Sequence, residues 1–205
     1  MSLHDLFNEC LDIDEEYIHV ENDGDFFIER DGTILRIFFE KSDSKADWEN
    51  NFKFLAIPKK PYKNMKKTWF CHRGFSKVWD AIEPYVKDEI MNPDNDKIEI
   101  VGYSHGGGVA LLCYEYCVFH RPDIDVIGFG FGAPRVLWGI IPKQLKKRLS
   151  SFYVVRNISD IVTHLPPLVF GYRNAPKLIK IGKPFKYNPI KAHTPEAYIN
   201  ELQNF

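Results

Sequence analysis

The sequence lacks most of the features that would take it outside ordinary globular chemistry. No stretch approaches the roughly 20 apolar residues that span a bilayer, so no stable membrane anchor is expected. The opening run, Met1 to Glu9, has neither a basic segment nor an apolar one and does not read as a secretory leader; the protein is expected to be cytoplasmic. The four cysteines (Cys10, Cys71, Cys113 and Cys117) form no CxxC pair and no zinc spacing, and read as buried free thiols. A formal net charge of -1 gives no general reason to bind nucleic acid. Repeats, linkers and low-complexity segments are missing too. Two local scarcities say more. From Met1 to Asp31 the only basic residue is Arg30, and from Val126 to Pro195 the only acidic one is Asp160.

What is present suits one domain spanning residues 1–205. The chain is 44% hydrophobic, with 16 Phe and 10 Tyr, which excludes a disordered chain and suffices for a core without disulfide or metal staples. After an acidic N-terminal segment, Asp25 to Arg30 and Thr33 to Phe39 are β-rich runs joined by an Asp31-Gly32 turn. Ser44 to Phe52 is compatible with a short helix, and Pro58 to Lys67 reads as a loop. Phe75, Val78, Trp79, Ile82 and Val86 recur at helical spacing between Arg73 and Met91, despite Pro84. Three apolar strands then follow, Ile98 to Tyr103, Asp125 to Phe131 and Phe152 to Arg156. Helical stretches from Gly106 to Arg121 and from Gln144 to Leu149 separate them. Thr194-Pro195 opens a terminal helix. Strands alternating with helices predict an α/β fold with a mostly parallel central sheet flanked by helices.

Gly102-Tyr103-Ser104-His105-Gly106 fits the G-x-S-x-G nucleophile elbow. It ends an apolar strand and opens a helix beginning Gly106-Gly107-Gly108. A sharp turn there exposes the serine hydroxyl, and the helix N-terminus favours developing negative charge. The bland alternative is a tight glycine turn with an incidental serine.

A nucleophilic serine needs a base, and the base needs an acid to orient it. In an open α/β sheet all three must stand at the carboxyl ends of the strands. Asp123 and Asp125 precede their strand and lie at the wrong edge; Asp160 follows its strand and lies at the right one. His120 ends the serine helix, away from the site. His164 is only four residues beyond Asp160, whereas His193 lies in a separate loop before the last helix, so His193 is preferred as the base over His164. His72 and His105 compete less well, though the backbone N–H of His105 is placed for an oxyanion hole.

These residues resemble the class 3 lipase family of α/β hydrolases, in separate motifs that keep the family order from about Phe39 to Tyr198. Phe39-Glu40-Lys41-Ser42, followed by Asp47-Trp48, occupies the place of the family's Phe-Arg-Gly-Thr/Ser segment. His72-Arg73-Gly74-Phe75 matches His-x-Gly-Phe, Gly102 to Gly108 resembles the elbow, and Phe131-Gly132-Ala133-Pro134-Arg135 matches almost letter for letter. Asn157 to Pro167 is similar to the family's aspartate loop, and Ala192-His193 with Tyr198 to its terminal histidine segment.

The resemblance implies Ser104 as nucleophile, His193 as base, Asp160 as orienting acid, and Ser42 with the His105 backbone as oxyanion hole. It implies hydrolysis of carboxylic esters, typically acylglycerols, through an acyl-serine, with no metal or cofactor. Glu40 and Lys41 depart from the family's Arg-Gly, and His105 from its usual Leu. A lid is expected between the oxyanion loop and His72, where Phe52, Phe54, Leu55, Ile57 and Tyr62 stand among Lys59, Lys60, Lys63, Lys66 and Lys67. The 52–70 segment can thus contact a lipid interface transiently, or be a solvated loop with a few anchoring aromatics. Two alternatives stay open: a non-catalytic binding module on the same fold, and a phospholipase or thioesterase using the same triad.

Overall fold

Strand alternation and helix periodicity resolve into two sheets and five helices in the computed structural model, which describes residues 2–12, 18–20, 24–39, 55–59, 62, 68–174, 177–184 and 186–205. The helices are α1 (Leu3–Asp12), α2 (Arg73–Met91), α3 (His105–His120), α4 (Lys143–Arg148) and α5 (Pro195–Leu202). The large sheet is built from β1 (Ile18–Val20), β2 (Gly24–Asp31), β3 (Ile34–Phe39), β6 (Lys97–Tyr103), β7 (Asp125–Phe131), β9 (Phe152–Asn157) and β11 (Lys177–Ile181), and these neighbour one another in that order. Its first three strands are antiparallel; β3, β6, β7, β9 and β11 are parallel. The short strands β4 (Ala56–Pro58), β5 (Phe70–His72), β8 (Leu137–Trp138) and β10 (Tyr172–Arg173) form a second, antiparallel sheet.

The central parallel strands β6 and β7 are largely apolar runs because both faces are covered. On β6, Ile98 and Ile100 face the core under α2 and α3, while Val101 and Tyr103 face a second core under α1 and α5. Cross-strand charge fixes the register at the rim, where Arg36 Nε sits 3.0 Å from Glu99 Oε2, its direct partner across β3 and β6. Helix α2 runs through Pro84 by placing it on the exposed outer face. Its inner face buries Trp79, Ile82 and Val86 completely.

The hairpin β2–β3 forms as the sequence predicts, and so do the Arg73–Met91 helix and the three apolar strands, within a residue or two at their ends. Helix α1 and strands β1 and β11 are additions, as is the small sheet. The acidic N-terminal segment is an amphipathic helix whose Phe7, with no exposed surface, meets Tyr103, Phe131 and Tyr198 at ring-centre distances of 5.2, 4.8 and 5.7 Å. Burying such a side chain is worth about 2–3 kcal/mol, which accounts for the ordering of this end of the chain. The helix expected over Ser44 to Phe52 lies outside the described residues. Within 55–62, Lys59 is 1% exposed and pairs with Asp80 at 3.5 Å, and Tyr62 packs its ring on Tyr116, Phe119 and His120 near the far end of α3. All four cysteines are buried.

Candidate active site

The chain leaves β6 at Tyr103 and enters α3 at His105, so Ser104 must reverse it in a single residue. It does so with φ 54° and ψ −117°, the only positive φ of a non-glycine among the described residues. Such a conformation costs about 1–3 kcal/mol and persists only where the surroundings hold it. They do: Ser104 N donates to Phe131 O at 2.8 Å, and Gly107 N to Ser104 O at 3.1 Å. Gly102 makes the turn possible, since a Cβ there would stand 2.3 Å from the Gly106 carbonyl oxygen.

Asp160 reaches the same edge from β9. Its Oδ1 accepts from Val162 N at 2.8 Å, and Thr163 Oγ1 donates to its backbone carbonyl at 3.0 Å. Two buried arginines hold the following loop. Arg135 donates to the carbonyls of His164 and Pro166, Arg156 to that of Thr163, and both share Asn174 Oδ1. His193 arrives last, in the 3₁₀ turn Lys191–His193 ahead of α5, whose N-cap Thr194 accepts from Ala197 N. The Tyr103 hydroxyl donates to the His193 carbonyl, and its ring stacks on the imidazole at 5.4 Å and 25°. Gly132, at φ +59°, leaves room for that imidazole: a Cβ there would meet His193 Cε1 at 3.0 Å.

The three side chains form one line. Ser104 Oγ is 2.8 Å from His193 Nε2, and His193 Nδ1 is 2.8 Å from Asp160 Oδ2. Asp160 is wholly buried and Ser104 nearly so. With the ring proton on Nδ1 towards the carboxylate, Nε2 faces the hydroxyl as an acceptor. The arrangement can take a proton from Ser104 as its oxygen attacks an electrophile.

The other candidates lie elsewhere. His164 is exposed over part of its surface, and partial burial with Arg156 and Arg135 nearby lowers its pKa. His120 packs among aromatic rings at the end of α3. Asp123 is exposed and pairs with Arg121. His72 caps α2, its Nδ1 accepting from Gly74 N at 3.1 Å, and burial pushes it down to about 4. His105 is brought to about 4 by burial and by neighbouring His72, with Phe75 against its ring at 5.0 Å. Ser42 lies outside the described residues.

Tyr198 and Tyr103 went unassigned in the sequence. The Tyr198 hydroxyl donates to Asp160 Oδ2 at 2.7 Å and accepts from Asn157 N at 3.2 Å. In the sequence Tyr198 stood only as a member of the terminal histidine segment, five residues after His193 and without a role of its own.

Residues 36–170 match the model of the class 3 lipases. The chain belongs to the class 3 lipase family. Among curated proteins it is 30% identical to secreted mono- and diacylglycerol lipase 1 of Fusarium solani over 108 residues, which is 50% of this chain and 32% of that one. It is 26% identical to a lipase of Rhizomucor miehei over 149 residues, or 69% of this chain and 40% of the relative. The chain thus spans less than half the length of either. Among solved structures, the mono- and diacylglycerol lipase of Aspergillus oryzae overlays with a TM-score of 0.68 at 20% identity, over 91% of this chain and 72% of that one. The Rhizomucor miehei triacylglyceride lipase gives 0.65 at 22%, over 82% and 67%. These overlays establish the α/β-hydrolase fold.

One expectation is overturned. The cytoplasmic assignment does not stand, because the Fusarium solani relative is a secreted protein. That assignment rested on the character of the first residues. Nothing in the fold ties it to a compartment: buried cysteines are compatible with either, and among the described residues no helix is long and apolar enough to cross a membrane.

Proposed function

We propose that the protein is a serine hydrolase of carboxylic esters, acting on lipid esters such as acylglycerols through an acyl-serine intermediate. The observation that carries this reading is the relay from Ser104 Oγ through His193 to Asp160, two hydrogen-bonding steps of 2.8 Å each. In the proposed reaction Ser104 Oγ attacks the carbonyl carbon while its proton passes to His193 Nε2. The C–O bond to the alcohol then breaks, and the departing oxygen takes that proton. Water repeats the sequence, releasing the fatty acid and restoring Ser104. Asp160 keeps the imidazole in the productive tautomer and balances the imidazolium.

The first N–H groups of a helix have no intrahelical partner, so the His105 N–H is the proposed donor to the oxyanion. Ser42 is proposed as the second donor, from the family pattern alone. The substrate class is supported by the names of the relatives and by a solved triacylglycerol lipase, described as having a serine-protease triad at its catalytic centre, that overlays with a TM-score of 0.64. A lipid interface is the proposed physical setting, in keeping with a fungal lipase–inhibitor complex that served as a model for interfacial activation.

The test is hydrolysis of p-nitrophenyl butyrate. Ser104→Ala is expected to abolish it while circular dichroism stays native, and a fluorophosphonate probe is expected to label the parent protein at Ser104 alone. A folded Ser104→Ala variant with parental activity refutes the assignment.

A further inference from the structure

The loops that close the carboxyl edge of the large sheet carry a set of outward apolar side chains that the reaction does not use. Ile140 is 95% exposed and Val169 84%, with Leu168 half exposed beside it. They are contiguous: Ile140 and Leu168 line one shallow groove together with Lys146 and Arg173. A lone exposed isoleucine is ordinary, whereas a cluster raised on one edge marks a contact surface. A second pair, Ile161 and Ile190, stands next to the reacting groups, joined where Ile161 N donates to Pro189 O at 3.3 Å.

These tips stand on fixed backbone. Strands β8 and β10 pair, Gly139 N donates to Gly171 O at 2.9 Å, and Trp138 Nε1 to Phe170 O at 2.8 Å. From below, Arg135 holds the carbonyls of His164 and Pro166. The surface is therefore preformed.

Charge identifies the occupant. Lys146 and Arg173 line the groove and are exposed, and so are Lys143 and Lys147, which share α4 with Lys146, and Lys191, next to Ile190 in the chain. The only acid between Val126 and Pro195 is Asp160, and it is buried behind His193. No carboxylate from that stretch reaches the rim to offset the cations.

We propose that this rim is a preformed docking face for an anionic lipid surface, on which Ile140, Leu168 and Val169 enter the headgroup layer while the surrounding Lys and Arg meet negative headgroups. The inference rests on the lipid-ester reading above and adds to it where the contact lies and which surface charge it selects. It also moves the contact away from Lys59 and Tyr62 of the 52–70 segment, both of which are packed inward.

Sedimentation with vesicles tests the proposal, using Ser104→Ala protein so that no hydrolysis alters the lipid. Vesicles of phosphatidylcholine containing phosphatidylglycerol are expected to bind at least about tenfold more protein than phosphatidylcholine alone, and added salt to weaken that binding. Ile140→Glu with Val169→Glu is expected to remove most of the binding, and Lys146→Ala to weaken it about fivefold. In the parent background the same Glu pair is expected to leave turnover of monomeric p-nitrophenyl butyrate unchanged. Equal binding to both vesicle types, undiminished binding by the Glu pair, or a dimer that the Glu pair disperses would each overturn the docking face. Vesicle binding that behaves as expected in a protein without ester turnover would overturn the hydrolase reading instead.

Discussion

Tyr198 donates its hydroxyl hydrogen to Asp160 Oδ2 at 2.7 Å, the same oxygen that His193 Nδ1 approaches at 2.8 Å. Asp160 Oδ1 accepts from a backbone amide, so a phenol, an imidazole and the main chain together fix the buried carboxylate. Burial and the adjacent Asp160 raise the Tyr198 pKa far above its ordinary value, which keeps the hydroxyl a donor throughout the working range.

Tyr198→Phe is therefore expected to lower kcat roughly tenfold with little change in KM, as lost supporting hydrogen bonds do elsewhere. Stability is expected to fall by about 1–2 kcal/mol, because Asn157 N loses its acceptor. Steady-state kinetics and urea titration of the same preparation separate the two effects. An unchanged kcat would remove Tyr198 from any positioning role.

Asp160→Asn is expected to cost about 10⁴ in kcat by favouring the wrong imidazole tautomer. His193→Ala is expected to cost at least as much, and His164→Ala very little, because it is His193 that lies between Ser104 and Asp160. Hydrolysis of a soluble ester by all three variants ranks them; the opposite order of the two histidines would contradict the proposed base.

Gly102→Ala places a methyl group where the Gly106 carbonyl oxygen already stands. The three nearest atoms are all backbone of Gly106 and Gly107, which leaves no flexible side chain to yield, so a loss of about 3 kcal/mol or more is expected. A thermal melt with the parental midpoint would show that the turn is looser than it looks.

Acid is expected to destabilise the fold through His72 and His105. In the unfolded chain both take up a proton near 6.5, while in the folded protein burial delays this to about 4. The unfolded state thus binds more protons in between, and stability declines as pH falls from about 6.5 towards 4, by roughly 1–3 kcal/mol per histidine. Urea midpoints at neutral and acid pH measure the slope, and His105→Leu is expected to flatten it. A slope equal to the parent's in that variant would exclude His105 as a contributor.

The central strands of the parallel sheet were legible because they are covered on both faces and rich in Ile, Val, Phe and Gly. Strand β11 was not: in Lys177-Leu178-Ile179-Lys180-Ile181 the lysines obscure an edge strand whose pairing is visible only from Val154 and Val155 opposite. Helix α1 was hidden by its acidic composition, although Leu3, Leu6, Phe7, Cys10 and Leu11 recur at helical spacing. At the site, requiring the carboxyl edge was enough to prefer Asp160 over Asp123, since strand direction can be read from strand order. The partners of Tyr103 and Tyr198 depend on where a hydroxyl ends up after packing, and no local pattern encodes that. The compartment was misread because surface composition at one end of a chain says little about where a stable fold is sent.

Phe7 links the first helix to the chemistry through two rings, Tyr103 and Tyr198, each of which touches His193 or Asp160. On the proposed reading, a protease that nicks the chain after α1, or a fusion partner that pulls this helix off the sheet, would act as an inhibitor without going near the substrate. Tyr103 would stay on β6 beneath the imidazole, but the Phe7 ring that backs both it and Tyr198 would be gone.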